Sequence, residues 1–256
     1  MKNYIFAMFA MIVATSCTKY SITGSSDLQE VDGRMLYLKA LLADEVRNID
    51  SCDVVHGKFK FSGALDSVQV VTLCIDNTPV MPVVLEDGSI SIEMNMQRQL
   101  CQGTPLNDTL SSFNTKYQML VAELEDLTHQ HDQAIMNGED MEAVNRRLMQ
   151  REQQLLESED KLVSGFIADN FDNCLGPYVF QLATGAYEYP VLTPWIEALM
   201  SKATETFKNS AYVKEYMEAA KHNQDIMVGV ADAQPQLPQQ PLQQGPTPNE
   251  LAQPEE

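Results

Sequence analysis

Hydrophobic spacing changes once along the chain, between Gly103 and Asn107. Upstream, apolar and polar residues alternate. Lys58-Phe59-Lys60-Phe61 puts two phenylalanines on one side and two lysines on the other, the pattern of a strand with one wet face. Ile90, Ile92 and Met94 repeat it against Ser89, Ser91 and Glu93. Val68 to Ile75 is nearly all apolar and β-branched, which predicts a central strand buried on both faces. Arg34 to Leu42 fits a strand or a short helix equally well. Pro79 and Pro82 cannot donate to a ladder and place Val80-Met81 at a sheet edge. Asp87-Gly88, between two apolar runs, predicts a hairpin.

Downstream the period is three to four. Leu110, Phe113, Tyr117, Leu120, Leu124 and Leu127 form one stripe of a helix running to Met136, with Asn107 or Asp108 to cap its start. Asn137-Gly138 breaks it. A second helix starts near Glu139 and carries Met141, Val144, Leu148, Leu155, Leu162 and Phe166. So short a break predicts an antiparallel hairpin, residues 110–167, with arms of about 45 Å. Three shorter helices follow, marked by Pro177, Pro194 and Ser210. The chain ends in glutamine and proline, which bury too little to offset their ordering entropy.

The fold class is therefore α+β: an N-terminal antiparallel β sandwich or open barrel, then a long helical hairpin and short helices. The boundaries are a signal segment at 1–16, a polar tether at 17–29, a β domain at 30–103, a helical domain at 104–228 and a disordered tail at 229–256. Apolar side chains thin out toward the hairpin tip, leaving Ile135, Met136 and Met141. The base is expected to pack on the later helices and the outer half to project. Met136 and Met141 would then meet a partner or a second copy, methionine being adaptable at such surfaces. The same pattern also allows the whole hairpin to fold down onto the β domain.

Charge and motifs narrow the function. A net charge of −19 repels phosphate, which excludes nucleic acid as a partner. After Lys2, Tyr4 to Val13 is apolar but too short to span a bilayer, which takes about twenty residues. The run ends in Ala14-Thr15-Ser16-Cys17, similar to a bacterial lipobox, so Cys17 is the expected lipidation site. A plain secretory signal is the alternative. Two or more acyl chains on Cys17 give a stable membrane anchor. No acidic run follows Cys17, which favours the outer membrane with the protein facing the periplasm.

No chemistry-bearing constellation emerges. Cys52, Cys74, Cys101 and Cys174 form no Cys-x-x-Cys pair and no cluster with histidine, so no metal is expected; their disulfide state is open. His129 and His131 lie about 200° apart on a helix and cannot share an ion. Ser158 and Lys161 match Ser-x-x-Lys in mid-helix without the companion motifs. Arg146, Arg147 and Arg151 read as an ion-paired face. Asp66-Ser67-Val68 and Asp108-Thr109-Leu110 resemble the acceptor for O-glycosylation in Bacteroidetes, which makes Ser67 and Thr109 candidates; Thr109 also suits a helix start. No catalytic residue, metal or cofactor is expected, and the chain reads as a non-enzyme.

Phe59-x-Phe61-x-Gly63, Val83-Val84-Leu85-Glu86-Asp87-Gly88-x-Ile90-x-Ile92 and Gly103-Thr104-Pro105-Leu106-Asn107 resemble domain-of-unknown-function family 4369, over about residues 30–225. The resemblance implies a Bacteroidetes-type lipoprotein with this β domain behind the lipobox. Such proteins often continue into a thioredoxin-like domain with Trp-Cys-x-x-Cys. Here the single tryptophan is Trp195 and the proline-rich tail stands where that domain would begin. A non-enzymatic binding or assembly module of the cell envelope is the leading expectation. Its partner would be an unidentified envelope protein or a second copy. The alternative is an accessory factor for envelope thiol-disulfide chemistry, without its own redox dithiol.

Overall fold

A computed structural model describes residues 19–42 and 45–229. The signal segment, Cys17 and the tail beyond Gly229 lie outside the described residues. Eight strands come first: β1 (Lys19–Ser26), β2 (Met35–Leu42), β3 (Glu45–Asp53), β4 (Lys58–Ala64), β5 (Gln69–Ile75), β6 (Thr78–Leu85), β7 (Gly88–Met94) and β8 (Gln99–Gln102). They form two four-stranded sheets, ordered β4-β1-β7-β8 and β3-β2-β5-β6. All neighbours are antiparallel except β1 and β7, which run parallel. The sheets face each other as a sandwich. Ile22, Leu36, Leu38, Phe61, Leu73 and Ile90 are fully buried in its core. Alternation produces this arrangement, since every second residue of a strand points the same way.

The run from Arg34 to Leu42 resolves as strand β2 from Met35 onward, interior to its sheet. β5 is two-faced as its composition predicts: Val71 and Leu73 enter the sandwich, while Val70 turns to the helices. β6 is an edge strand, which accommodates Pro79 and Pro82.

Two expectations need correction. Residues 17–29 are not a tether throughout: Lys19–Ser26 is β1, paired on both sides by β4 and β7. Its inward positions are Tyr20, Ile22, Gly24 and Ser26, two of them small, so the segment is too polar to register as core. Asp87-Gly88 is not a hairpin turn. β6 and β7 belong to different sheets, and the chain crosses the sandwich there with Gly88 at φ 124°.

The small residues of β1 have a packing reason. A Cβ on Gly24 would stand 2.0 Å from the Phe59 ring, which is itself buried. Gly24→Ala is therefore expected to destabilise by about 1–3 kcal/mol through overpacking. Chemical denaturation checks this, and pairing it with Phe59→Leu should recover part of the loss.

The helical part comprises α1 (Pro105–Met136), α2 (Met141–Asp169), α3 (Leu175–Thr184), α4 (Pro194–Lys202), α5 (Glu205–Lys208) and α6 (Ala211–Met227). The single turn α5 has no counterpart in the sequence reading. α1 begins five residues earlier than the hydrophobic stripe suggests, with Pro105 at its first position. A second core gathers Phe180, Phe207, Ile196, Val213 and Tyr216 with Leu110, Phe113 and Ile167 from the hairpin base. The rings of Phe113 and Phe166 lie 4.2 Å apart and close that base.

On α1 this core ends at Tyr117, and on α2 it ends at Leu162. Farther out, Ala134, Val144 and Leu148 form a small separate cluster with Leu127 and Met141, all from the hairpin itself. The hairpin thus extends about 30 Å past the helical core, at 1.5 Å per residue from Tyr117 to Met136.

Candidate functional site

The sandwich and the hairpin meet at the step from β8 to α1. Gly103 has φ 104°, and a Cβ there would lie 2.6 Å from the carbonyl oxygen of Ser89. Glycine alone fits. Its N–H donates to the Asp108 carboxylate at 2.9 Å. Two of the free N–H groups that open α1, those of Leu106 and Asn107, donate to Oε1 of Glu86 at 2.8 and 3.0 Å. That carboxylate is buried at the positive end of the helix dipole, where negative charge is favoured.

Asn107 is 1% exposed, and its amide acts as a false strand. Oδ1 accepts from the Val84 N–H at 2.9 Å, and Nδ2 donates to the Val84 carbonyl at 2.8 Å. The amide thereby pairs the open edge of β6 as a neighbouring strand would. Its remaining capacity goes to Thr104 Oγ1 at 2.8 Å and Cys101 Sγ at 3.1 Å. The expectation that Asn107 or Asp108 caps the helix is corrected: Thr104 occupies the cap position, Asn107 locks the helix to the sheet, and Asp108 accepts from the Gly103 N–H. Among the described residues no buried side-chain nitrogen or oxygen lacks a partner.

The two edges of the hairpin differ in charge. An ion pair between Arg151 and Glu123 ties the arms on one edge. Tyr117 on α1 faces Glu159 on α2 along the other, and burial followed by that carboxylate's charge raises the Tyr117 hydroxyl above its ordinary pKa. Lys116 shares the first edge and lines a shallow depression of about 400 Å³ with Thr109, Ser112, Phe113 and Phe166. Leu156 and Met149, 50% and 68% exposed, lie on the second edge.

Of the two methionines expected to meet a partner, Met136 is 78% exposed, whereas Met141 is half-buried against the tip cluster. Ser67 is exposed in the bend between β4 and β5. Thr109 is exposed, but on the second turn of α1, where its hydroxyl donates to the Pro105 carbonyl at 2.7 Å. Both methionines sit at the hairpin tip, whereas Ser67 lies between two strands and Thr109 near the start of α1.

Cys52, Cys74, Cys101 and Cys174 are free thiols. Burial pushes Cys101 up to about 12, helped by Asp108 and Glu86 nearby. Burial raises Cys52 and Cys174 to about 11, and Cys74 upward as well. At pH 8 a thiol at about 11 is roughly 0.1% thiolate, the reactive form. Iodoacetamide is expected to label these four only slowly in the folded protein at pH 8. The rate should rise as pH climbs toward 11, and all four should label fast in urea. Rapid labelling of the folded state would show that burial does not hold the thiols neutral.

Among the described residues no group of three or more His, Cys, Asp or Glu is placed to hold a metal ion, and no helix is long and apolar enough to cross a membrane.

These features define a β sandwich joined through one buried asparagine to an appended helical domain. Residues 20–110 match the family described as Domain of unknown function (DUF4369). The match takes in the sandwich and the Asn107 joint and ends at Leu110, before most of the hairpin. It is thus shorter than the resemblance over residues 30–225. No curated protein and no solved structure matches the chain.

Proposed function

We propose that the chain is a lipid-anchored protein of the cell envelope. In this reading it is a non-enzymatic binding or assembly module, with the DUF4369 sandwich as its base and the helical hairpin as its contact arm. The observation that carries the reading is the hairpin's extension past its core, ending in exposed Ile135 and Met136. The polar groups at the joint support it. They are consumed in holding α1 to β6, which aims the arm rigidly instead of leaving groups for catalysis.

Lipidation of Cys17 would set the geometry. β1 starts at Lys19, so at most about 7 Å of chain separates the lipid from the sandwich. Lys19 lies beside Asp87, Tyr20 pairs with Gly88, and Gly88 borders Thr104 at the start of α1. The anchor and the foot of the hairpin therefore share one end of the sandwich.

Two experiments test the proposal. Mass analysis of the mature N-terminus should find acyl chains on Cys17; cleavage elsewhere removes the anchor. Met136→Glu should leave the melting temperature within about 2 °C, because an exposed substitution costs little. The same variant should lose self-association or crosslinks formed in native membranes. Unchanged crosslinks in a folded variant would take the tip out of the contact.

A further inference from the structure

We propose that the acidic edge of the hairpin seats a basic amphipathic helix of another protein, laid along the seam between α1 and α2. This rests on the reading of the hairpin as a contact arm and specifies its occupant. Two contacts between the arms fix which residues share an edge. Glu123 and Arg151 mark one, Tyr117 and Glu159 the other. At about 100° per residue, the Glu159 edge also carries Glu152, Leu156 and Met149 on α2 and Val121, Glu125 and Asp132 on α1.

The arms are antiparallel, with Phe113 beside Phe166 at the base and Ala134 clustered with Val144 near the tip. Val121 therefore stands level with Leu156, and Glu125 with Glu152. Met149 follows one turn out, then Asp132. Apolar and acidic rungs alternate at about 5 Å, one helical turn.

The charge on this edge is of one sign. Lys116, Arg147, Arg151 and Lys161 fall on the opposite edge by the same spacing, and Arg146 lies on the back of α2, bonded to Glu142. Met149 and Leu156 recur seven residues apart, as they would along the seam of a three-helix bundle. A third helix would cover them and set its own charges against the acidic rungs.

That helix has to be basic, which the chain's own C-terminal segment is not. Residues 230–256 hold four acidic residues and no Lys or Arg, and the same edge of a second copy repels. The occupant that fits is a cationic helix of about twenty residues, the length of the free hairpin, with apolar residues seven apart and Lys or Arg between them.

The test uses the full chain and a fluorescent synthetic twenty-residue helical peptide of that pattern, alongside a scrambled peptide of equal composition. Saturable binding is expected for the patterned peptide only, weakening as salt rises. Glu125→Lys with Glu152→Lys should cost about tenfold or more in affinity, and the milder Glu125→Gln with Glu152→Gln an intermediate amount. Leu156→Ser should weaken binding as well. Arg147→Glu with Lys161→Glu, on the other edge, should leave binding intact.

Equal binding of the scrambled peptide overturns the proposal, as does loss of binding in the variant of the other edge. A concentration-dependent dimer abolished by Arg147→Glu with Lys161→Glu would assign the edge to a second copy and also overturn it. If the patterned peptide fails to bind while Met136→Glu still abolishes native crosslinks, the contact arm stands and its basic occupant is wrong. If both fail, the arm falls too.

Discussion

Asn107→Ala is expected to lower the melting temperature by on the order of 10 °C. The substitution leaves the N–H and carbonyl of Val84 without partners in a buried site. Each orphaned buried group costs about 1–3 kcal/mol, so the pair costs about 2–6 kcal/mol. For a chain of this size 1 kcal/mol moves the midpoint by about 2–4 °C. Against a typical total of about 5–15 kcal/mol, this is a large share.

Asn107→Asp separates hydrogen bonding from shape. The aspartate retains acceptors but loses both donors, and it puts a second carboxylate beside Glu86. Burial and that neighbour raise the new group's folded pKa above its unfolded value. Protonation is then favoured in the folded state, so the variant's deficit shrinks as pH falls and grows as pH rises through the folded pKa. Asp108→Ala provides the contrast. It removes one exposed bond to the Gly103 N–H and should cost about 1 kcal/mol. Thermal unfolding followed by circular dichroism measures all three. A wild-type midpoint for Asn107→Ala would mean that the edge of β6 finds water instead.

The sequence made some of this legible and hid the rest, for physical reasons. Strands with strict alternation, β4 and β7, and the long stripes of α1 and α2 were readable because a single periodicity controls burial there. β1 was not, because half of its inward positions are Gly24 and Ser26, and what fills the space is the distant ring of Phe59. The Asp87-Gly88 corner carries local turn chemistry that cannot state whether two strands pair with each other or join different sheets. Gly103-Thr104-Pro105-Leu106-Asn107 drew notice as a motif, yet its meaning lies in Val84 and Glu86, about twenty residues upstream. A Thr-Pro helix start with an Asn two residues after the proline is the signal that it left. The charge separation along the hairpin was present in the sequence, but only contacts between the arms, Glu123 with Arg151 and Tyr117 with Glu159, tell which residues share an edge.

The two cores also make the protein divisible in a testable way. Phe180 has no exposed surface, and its ring meets those of Phe207 at 5.7 Å, Tyr216 at 5.4 Å, Tyr212 at 6.2 Å and Trp195 at 6.3 Å. Phe180→Ala should open a cavity that these neighbours only partly fill, at a cost of about 3–5 kcal/mol. The loss falls on the helical core, which among the described residues takes only Val70 and Val84 from the sheets. The sandwich core contains neither residue and is closed by both sheets. Trp195 is the only tryptophan in the chain, stacks on Phe180 and donates to Ser164 Oγ at 2.6 Å, so its fluorescence reports on the helical core alone. In the variant the tryptophan transition should move to lower temperature, while amide protection in β1, β2 and β5 persists to near the wild-type midpoint. Asn107→Ala, which acts on the joint, should instead shift both signals. If Phe180→Ala moves tryptophan fluorescence and sheet protection together, the joint through Glu86 and Asn107 couples the halves into one cooperative unit, and the hairpin is then no more separable from the sandwich than one strand is from its sheet.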